Sequence, residues 1–525
     1  MFINDPIDLV RNALSVICSL NDELTILPGT QVITLKNVPD HPSILCGGGS
    51  GHEPAHAGYV GSFIQAAVCG NVFTSPPYHY VQSAINYLNE NNNNQGVLVI
   101  IKNYTGDIMN FTLAVQNCPN VNTRILIVND DYAFEYDRRG LAGTVLLYKI
   151  LSEAAKEMDL EQLYQLGITI NQKLATIGVS LSSCTLPGQK QNYQFQYGTM
   201  EIGLGIHGEK GLTQQQLVSS QNIIQIMSKI LSVTNQDELI VLLNNLGGTT
   251  DLEMNQLIYD LLQQNQRIKC LIWGRAMTSL EMHGISLTVL KNDDEKIFEW
   301  ASKQSPNLNV VINPKLKIYS FETIQQIQGI PLTKKQVQKV RYICQELIKE
   351  EDQFNYYDKQ VGDGDFGQSI KNGCLGLLEL GEHLNLEQIG DKLAKCMGGS
   401  SGPILGCFIF GLSSQVKDPE NDTEEQWNKG VAEGIKRIKQ LGRANLGDRT
   451  LLDVLEPVYN QYILEGKPFK ENLSNLISYA KIQAQLATNL KARKGRSRYL
   501  AGKEIGQKEP GCEFIVKLLE LFLNQ

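Results

Sequence analysis

Runs of consecutive apolar residues recur between about residue 40 and residue 312, separated by segments with helical periodicity. Apolar residues at successive positions are typical of strands that are buried on both faces of a sheet. The runs are Val97–Ile101, Arg124–Val128, Thr176–Leu181, Glu201–Ile206, Leu239–Asn244, Cys270–Trp273 and Ser286–Leu290. This alternation predicts an α/β domain over residues 1–317.

Beyond residue 330 the pattern changes, because apolar residues then recur every three or four positions without an alternating strand pattern. The clearest series are Val337, Val340, Ile343 and Leu347, then Leu386, Ile389, Leu393 and Met397, then Val431, Ile435, Ile438 and Leu441. This spacing predicts amphipathic helices, so we expect an all-α domain over residues 333–525. The segment 318–332, with Pro331 near its end, is interpreted as the linker.

A glycine-rich segment, Cys46-Gly-Gly-Gly-Ser-Gly-His-Glu-Pro-Ala-His56, follows the apolar pair Ile44-Leu45. Three glycines at a strand tip would leave main-chain N–H groups open to a small polar ligand, which predicts a binding loop. The segment lacks the lysine and hydroxyl of GxxxxGK[ST], and Pro54 interrupts GxGxxG, so it is not a nucleotide loop. A glycine-rich surface turn is the alternative interpretation.

Two further segments carry candidate catalytic groups. Lys102 and Asp107 come just after a predicted strand, where an ammonium and a carboxylate could bind a hydroxyl and remove its proton. His207 lies among four glycines of segment 203–211, which leaves its imidazole unshielded and able to act as a base or nucleophile. The alternatives are a solvated loop for the first pair and a structural role for the histidine.

The densest acidic segment, Asp358-Lys-Gln-Val-Gly-Asp-Gly-Asp-Phe-Gly367, lies in the helical half. Carboxylates so close repel one another unless a hard cation neutralises them, so Asp358, Asp363 and Asp365 predict a Mg²⁺ site. The later ligands of an EF-hand are missing, and a solvated acidic turn is the alternative. Polar turns at 397–403, 442–451 and 495–511 offer N–H groups and arginines, Arg449 and Arg496 among them, to phosphates.

Composition and charge exclude several classes of protein. A length of 525 residues suggests two to four domains, and a net charge of −8 argues against a dedicated nucleic-acid binder. The eleven cysteines include no CxxC pair, which indicates neither a disulfide framework nor a zinc site and favours a reducing compartment. The longest apolar stretch, Ile404–Leu412, is too short for a membrane span. We therefore expect a cytoplasmic protein.

Together these motifs resemble those of the dihydroxyacetone (glycerone) kinase family. The matching segments of the first half are Gly47–His56, Val72–Pro76, Lys102–Asp107, Val128–Asp131, Arg139–Gly143, Gly205–Glu209 and Met277–Met282. The polar turns of the second half resemble, in the same order, the nucleotide domain of these kinases. The resemblance implies an α/β substrate domain with two α/β subdomains, followed by an all-α nucleotide-binding domain that forms a helical barrel.

For the first domain the resemblance implies a covalently held substrate. In the family the carbonyl carbon of dihydroxyacetone bonds to a histidine nitrogen as a hemiaminal, and the matching position is His207. A ketone can form this bond and glycerol cannot, so selectivity would come from covalent chemistry. The implied substrate-binding residues are Gly49, Ser50, Gly51, His52, Lys102 and Asp107, with His207, His52 and Asp107 as catalytic residues and Asp107 as the base.

For the second domain the resemblance implies two Mg²⁺ ions, held by the three aspartates, that grip the ATP phosphates. The residues implied to line ATP are Gly367, Gln368, Ser369, Ile370, Ser400, Ser401, Gly442, Thr450, Leu451, Arg496, Glu509, Pro510 and Gly511. Related bacterial systems place the domains on separate subunits, where a phosphocarrier recharges tightly held ADP. Here both domains share one chain and no third domain with a phosphorylatable histidine follows, so we expect exchangeable ATP as the donor.

The expected function is ATP-dependent phosphorylation of dihydroxyacetone, with glyceraldehyde as a second candidate substrate, in a homodimer without nucleic-acid or membrane partners. One alternative is the activity of fused animal relatives that cleave FAD with Mn²⁺ to AMP and cyclic FMN. A ligand-sensing regulatory or adaptor protein is the alternative from another class. A binding module has no need of His207, Asp107 and three clustered aspartates together, which argues against that class.

Overall fold

The computed structural model describes residues 3–190, 195–264, 267–305, 307–317, 319, 329–381 and 384–523. These residues belong to two compact units, Met1–Ser320 and Phe321–Gln525. Most of the predicted linker, 318–332, lies outside the described residues. The domain limits 1–317 and 333–525 therefore stay predictions.

The first unit contains a six-stranded sheet with a parallel centre. Its strands are β1 (Leu24–Ile26), β2 (Val32–Leu35), β3 (Ser43–Ser50), β4 (Ala66–Val72), β5 (Val97–Lys102) and β6 (Thr123–Val128), in the order β1-β2-β4-β3-β5-β6. β4, β3, β5 and β6 run parallel, and β1 and β2 add an antiparallel edge. The accompanying helices are α1 (Leu9–Ser19), α2 (Tyr78–Asn91), α3 (Thr105–Gln116), α4 (Gly143–Ala154) and α5 (Leu160–Lys173), with a 3₁₀ turn at Ala57–Tyr59.

A second, seven-stranded sheet completes this unit. Its strands are β7 (Leu174–Ser180), β8 (Thr199–Ile202), β9 (Thr213–Gln216), β10 (Leu239–Asn245), β11 (Ile268–Gly274), β12 (Gly284–Lys291) and β13 (Asn309–Ile312), in the order β13-β11-β10-β12-β7-β8-β9. The helices α6 (Ser220–Ile230), α7 (Asp251–Gln264) and α8 (Glu295–Ser302) accompany it. Two α/β sheets in one unit confirm the predicted fold class. β8 ends before the predicted limit Ile206, because Gly203 adopts a φ of +78° and begins the loop that carries His207.

The three glycines lie at the end of β3, followed in the strand only by Ser50, which confirms their predicted place at a strand tip. β3 runs to Ser50 and all of its residues are buried. A Cβ atom on Gly49 would lie 2.7 Å from the Thr74 nitrogen, and one on Gly48 would lie 2.7 Å from Lys102 Nζ. The strand therefore requires glycine because a neighbouring main chain and a buried lysine occupy the space that side chains would need.

Gly49→Ala is expected to lower the free energy of unfolding by about 1–3 kcal/mol, because the new methyl group would overlap main-chain atoms that cannot rotate away. Gly178→Ala in β7 is the matched control, since its Cβ would meet its nearest neighbour at 3.5 Å, an ordinary contact. Urea unfolding of both full-length variants measures the difference. Equal transition midpoints would contradict the steric explanation.

The second unit is helical throughout its described residues, which confirms the predicted all-α domain. Its helices are α9 (Lys334–Lys349), α10 (Glu351–Val361), α11 (Phe366–Glu379), α12 (Leu386–Cys396), α13 (Ser401–Gln415), α14 (Glu424–Gly442), α15 (Leu452–Glu465), α16 (Phe469–Ala487) and α17 (Pro510–Leu523), with a 3₁₀ turn at Arg496–Leu500. Their apolar faces line a cavity of about 1140 Å³. Within the described ranges, no helix combines the length and the apolar character needed to cross a membrane.

Candidate functional site

Polar groups from three elements of the first unit converge around Gly48. The position that a Cβ on Gly48 would take lies 2.7 Å from Lys102 Nζ, 3.3 Å from Asp107 Oδ2 and 3.3 Å from His56 Nε2. Lys102 ends β5, and Asp107 lies in the first turn of α3. All three side chains are buried. The structure thus brings Lys102 and Asp107 together beside the glycine strand, and the missing side chain of Gly48 is what makes room for them.

Asp107 and Lys102 each have a polar partner that orients the side chain. The Ser75 hydroxyl donates a hydrogen bond to Asp107 Oδ1 at 2.5 Å. The Lys102 ammonium lies 2.8 Å from His56 Nε2. Asp107 also lies in the first turn of α3, close to the N–H groups at the start of that helix. A carboxylate and an ammonium in these positions can hold a hydroxyl group and accept its proton.

Two imidazole rings, His52 and His207, face each other with their Nε2 atoms 3.1 Å apart. His52 Nδ1 lies 2.8 Å from the Thr278 carbonyl oxygen, which only accepts, so Nδ1 carries a hydrogen. His207 Nδ1 lies 2.8 Å from Glu209 Oε1, which likewise accepts. Both Nε2 atoms would then offer lone pairs, so the contact between them needs one additional proton.

Burial and charge act on His52 and on Glu209, the partner of His207, in different ways. Burial lowers the pKa of His52 well below its usual range, and the charges of Lys102 and His207 act in the same direction. Burial alone would raise the pKa of Glu209, but its hydrogen bond and charge interaction with His207 outweigh this and lower it to about 2. His52 is therefore neutral, and the anionic Glu209 lies beside Nδ1 of His207.

The loop that carries His207 is fixed at both ends. Arg139 Nη2 donates to the Gly203 carbonyl oxygen at 2.7 Å, and the Gly211 N–H donates to Glu201 Oε1 at 2.5 Å. The edges of two aromatic rings, Phe73 and Tyr104, contact the imidazole of His207 at centroid distances of 4.9 and 4.8 Å. The His207 side chain still keeps 22% exposure, so a small carbonyl compound can reach Nε2.

Ser50 and Gly51, two other predicted substrate residues, form hydrogen bonds with other residues of the chain. The Ser50 hydroxyl donates to the Gly70 carbonyl oxygen at 2.8 Å and holds β3 against β4. The Gly51 N–H donates to Glu53 Oε2 at 3.0 Å. The Gly51 carbonyl oxygen accepts from the Leu280 N–H at 2.8 Å. These contacts fix the course of the main chain beside the histidine pair.

In the second unit the three predicted metal ligands converge. One carboxylate oxygen from each of Asp358, Asp363 and Asp365 lies within 4.8 Å of the other two. Asp358 Oδ2 accepts the N–H groups of Gly364 and Asp365 at 2.9 and 3.0 Å, which fixes the turn between α10 and α11. Three clustered carboxylate oxygens are the donor set that Mg²⁺ prefers, so the residues present fit the ion. The Arg496 guanidinium contacts Asp363 and offsets part of the negative charge.

Two helix N-termini are among the predicted phosphate positions. Gly367–Ile370 form the first turns of α11, next to Asp365. Ser400 and Ser401 begin α13, after Gly398 and Gly399, which adopt positive φ values and have open space around them. Free N–H groups at a helix start are suited to binding phosphate oxygens.

The remaining nucleotide positions come from three separate turns. Gly442 ends α14, Thr450 and Leu451 precede α15, and Glu509, Pro510 and Gly511 lie at the start of α17. The Cβ position of Gly511 lies 3.1 Å from Leu451 Cβ, so the last two turns are adjacent. Burial raises the pKa of the Glu509 carboxyl, although hydrogen bonds from Cys512 oppose the shift.

Arg449, which the sequence suggested as a phosphate contact, has a buried side chain. Its side chain is 2% exposed, and Nη2 donates to the Gln507 carbonyl oxygen at 2.7 Å. Its main chain adopts a φ of +61°, and its contact with Gln507 links it to the turn that leads to Glu509.

Several residues of the site had no role in the sequence analysis. Glu209 could have been suggested by its position two residues after His207. Thr278 and Tyr148 gave no such signal, because they lie 226 and 92 residues from their histidine partners along the chain. Only the folded chain shows which tautomer each histidine adopts.

Comparisons with known proteins cover nearly the whole chain. The Dak1 domain matches residues 15–307 and the DAK2 domain matches residues 360–524. The chain is 31% identical over 557 residues to triokinase/FMN cyclase of Mus musculus, covering 97% of this chain and 96% of the relative. It is 30% identical over 601 residues to dihydroxyacetone kinase of Pichia angusta, covering 98% and 97%. The crystal structure of the dihydroxyacetone kinase from C. freundii in complex with AMP-PNP and Mg²⁺ matches with a TM-score of 0.64 at 27% identity, covering 100% of this chain and 99% of that one.

Proposed function

The chain belongs to the dihydroxyacetone kinase family, and from this membership we propose that it transfers the γ-phosphate of ATP to a hydroxyl group of dihydroxyacetone. The observation that carries the proposal is the His52–His207 pair beside Lys102 and Asp107. An exposed imidazole next to a proton acceptor is suited to capture a carbonyl carbon, and a carboxylate beside it is suited to activate a hydroxyl.

Substrate capture begins when the proton shared by the two Nε2 atoms moves onto His52 Nε2. The freed Nε2 lone pair of His207 forms a bond to the carbonyl carbon, and the carbonyl π electrons move to the oxygen. His52 then passes the proton to that oxygen, which yields the hemiaminal hydroxyl group and leaves the positive charge on the His207 ring beside Glu209. His52 releases the proton readily because burial keeps its pKa low. Glu209 and the Thr278 carbonyl oxygen keep both rings in the required tautomers.

Phosphoryl transfer then uses the terminal hydroxyl group of the held ketone. Asp107 accepts its proton while the oxygen attacks the γ-phosphorus in line with the leaving ADP oxygen. Asp358, Asp363 and Asp365 would hold two Mg²⁺ ions that offset the charge of the phosphates. The N-terminal turns of α11 and α13, the turns at 442–451 and 509–511, and Arg496 would surround the nucleotide.

Asp107→Asn is expected to lower kcat on the order of 10²-fold, because the amide cannot accept the hydroxyl proton. Adduct formation on His207 should persist, since that step does not use Asp107. Asp159→Asn, at the start of α5, is the control, because asparagine also caps a helix. Steady-state kinetics together with intact-protein mass spectrometry separate the two steps. Full turnover in Asp107→Asn would exclude this residue as the base.

A coupled assay of ADP release tests the proposed function. We expect ATP consumption that depends on dihydroxyacetone, a response to glyceraldehyde, and none to glycerol. ATP turnover that is indifferent to both trioses would contradict the proposal.

A second candidate activity is the cleavage of FAD to AMP and cyclic FMN. It is favoured by the similarity to triokinase/FMN cyclase, which extends over both units of this chain. Incubation with FAD and Mn²⁺, followed by chromatography of the products, decides whether this activity is present. A regulatory or adaptor role is disfavoured, because a binding module does not require the metal-binding aspartates.

The proposed assembly is a cytoplasmic homodimer. All eleven cysteines are free, which suits a reducing compartment. The acceptor and donor residues lie on different units, and a dimer in which one chain's helical unit serves its partner would bring them together. Size-exclusion chromatography with light scattering tests this, and a fully active monomer at working concentration would contradict it.

A further inference from the structure

A chain of buried hydrogen bonds leads from the Lys102 ammonium away from the substrate site. Lys102 Nζ lies 2.8 Å from His56 Nε2, and His56 Nδ1 lies 2.9 Å from the Tyr148 hydroxyl oxygen. The same hydroxyl contacts Cys46 Sγ. Lys102, His56, Tyr148 and Cys46 are at most 3% exposed. The contacts join β5, the segment after β3, α4 and β3 in one connected network.

The hydrogen bonds from Lys102 through His56 to Tyr148 can run in one direction only. Burial lowers the pKa of His56 well below its usual range, and the charge of Lys102 adds to this, so the ring is neutral. An ammonium can only donate, so Nε2 of His56 accepts and the ring hydrogen lies on Nδ1. That N–H donates to the Tyr148 oxygen at 2.9 Å, and the Cys46 sulfur, 3.3 Å from Nδ1, is a second and weaker acceptor. The Tyr148 hydroxyl hydrogen is then available to the Cys46 sulfur. Burial raises the pKa of the Cys46 thiol to about 12. Burial also raises the pKa of the Tyr148 hydroxyl well above its usual value, so both groups stay protonated.

We propose that Tyr148 is a positioning residue, which fixes the tautomer of His56 and thereby aims the Lys102 ammonium at the substrate beside Gly48. This inference rests on the proposed function, because it takes the ligand of the ammonium to be the ketone substrate. With one N–H of the ammonium held by His56, the other two are directed by the tetrahedral geometry of the nitrogen. Without the Tyr148 hydroxyl, Nδ1 keeps only the longer and weaker contact with the Cys46 sulfur at 3.3 Å, and the ring can place its hydrogen on Nε2. Two donors would then face each other, and Lys102 would turn away.

The test compares Tyr148→Phe with Tyr59→Phe. Tyr59 is fully buried, its ring lies 6.3 Å from that of Tyr148, and its hydroxyl donates to the Ala276 carbonyl oxygen at 2.7 Å, outside the network. Each variant loses one buried hydroxyl, so we expect similar decreases in melting temperature. Only Tyr148→Phe should lower kcat/KM for dihydroxyacetone, by roughly 10-fold, with the KM for ATP unchanged. Equal activities in the two variants would overturn the proposal.

The tautomer of His56 can be observed directly by NMR of the full chain with ¹⁵N-labelled histidine. The His56 signals are assigned by their loss in His56→Gln. We expect a hydrogen on Nδ1 in the wild type and a mixture of tautomers in Tyr148→Phe. A wild-type hydrogen on Nε2 would overturn the proposal. This measurement needs no turnover. Absence of kinase activity in the wild type would count against the proposed function, whereas the tautomer of His56 would still test the positioning role of Tyr148.

Two substitutions of His56 provide a further test that does not depend on the folding of Tyr148→Phe. A glutamine amide oxygen reaches about as far as Nε2 and can accept from Lys102, whereas the shorter asparagine cannot. His56→Gln should therefore keep a several-fold higher kcat/KM for dihydroxyacetone than His56→Asn. The reverse order would contradict the positioning role.

Discussion

Replacing His207 by alanine is expected to abolish the covalent adduct with dihydroxyacetone, because it removes the partly exposed imidazole that forms the bond. The neighbouring His52 cannot take its place, since its ring is fully buried and its Nδ1 is held by the Thr278 carbonyl oxygen. Selection between the ketone and glycerol should weaken sharply, because the covalent bond is what distinguishes a carbonyl compound from an alcohol. Native mass spectrometry and the ratio of kcat/KM for the two compounds measure both effects.

The matched control for this substitution is His79→Ala. His79 is exposed on α2, so its loss should change neither the adduct nor the ratio. A ketone-derived mass that persists in His207→Ala, or an unchanged preference over glycerol, would refute the assigned role of His207.

Asp363→Ala or Asp365→Ala is expected to remove phosphoryl transfer almost completely, by on the order of 10³-fold or more, because electrostatic stabilisation of the phosphates is lost. Adduct formation on His207 should remain, since the carboxylate cluster and the histidine pair belong to different units with separate hydrophobic cores. ADP release and calorimetric titration of Mg²⁺ measure the first effect. Mass spectrometry of the adduct measures the second.

Asp352→Ala serves as the control for the acidic cluster. Asp352 is exposed on α10, the same helix that carries Asp358. Its removal should leave the stoichiometry of Mg²⁺ binding and the rate of ADP release unchanged. Loss of ketone binding in Asp363→Ala would show that the two sites depend on each other and would contradict their separate construction.

The sequence predicted those strands whose residues alone favour a buried position. β5 and β10 consist almost entirely of branched apolar residues and are buried along their length. β4 was not predicted, because its alanines and Gly70 have low strand propensity and it forms through pairing with β2 and β3. β9 was missed because its threonine and glutamines are largely exposed at the edge of the sheet.

The sequence predicted the residue types of the candidate site but not the contacts between them. His207, Lys102 and Asp107 belong to types that suit a nucleophile, a cation and a base, and each follows a predicted strand. The contact between His52 and His207 joins residues 155 apart along the chain. No local pattern encodes such a distance, so the shared proton and the tautomers that follow from it became apparent only in the folded molecule.

The glycine strand has a practical consequence for anyone who wishes to widen the range of ketones accepted by this protein. The wall formed by β3 cannot be reshaped, since Lys102 and the main chain near Thr74 fill the space beside it. Room for a longer carbon skeleton must come from side chains rather than from the strand, and Phe73 and Tyr104, which contact the imidazole of His207, are the candidates. Libraries for directed evolution should therefore vary these two aromatic positions and leave the glycines unaltered.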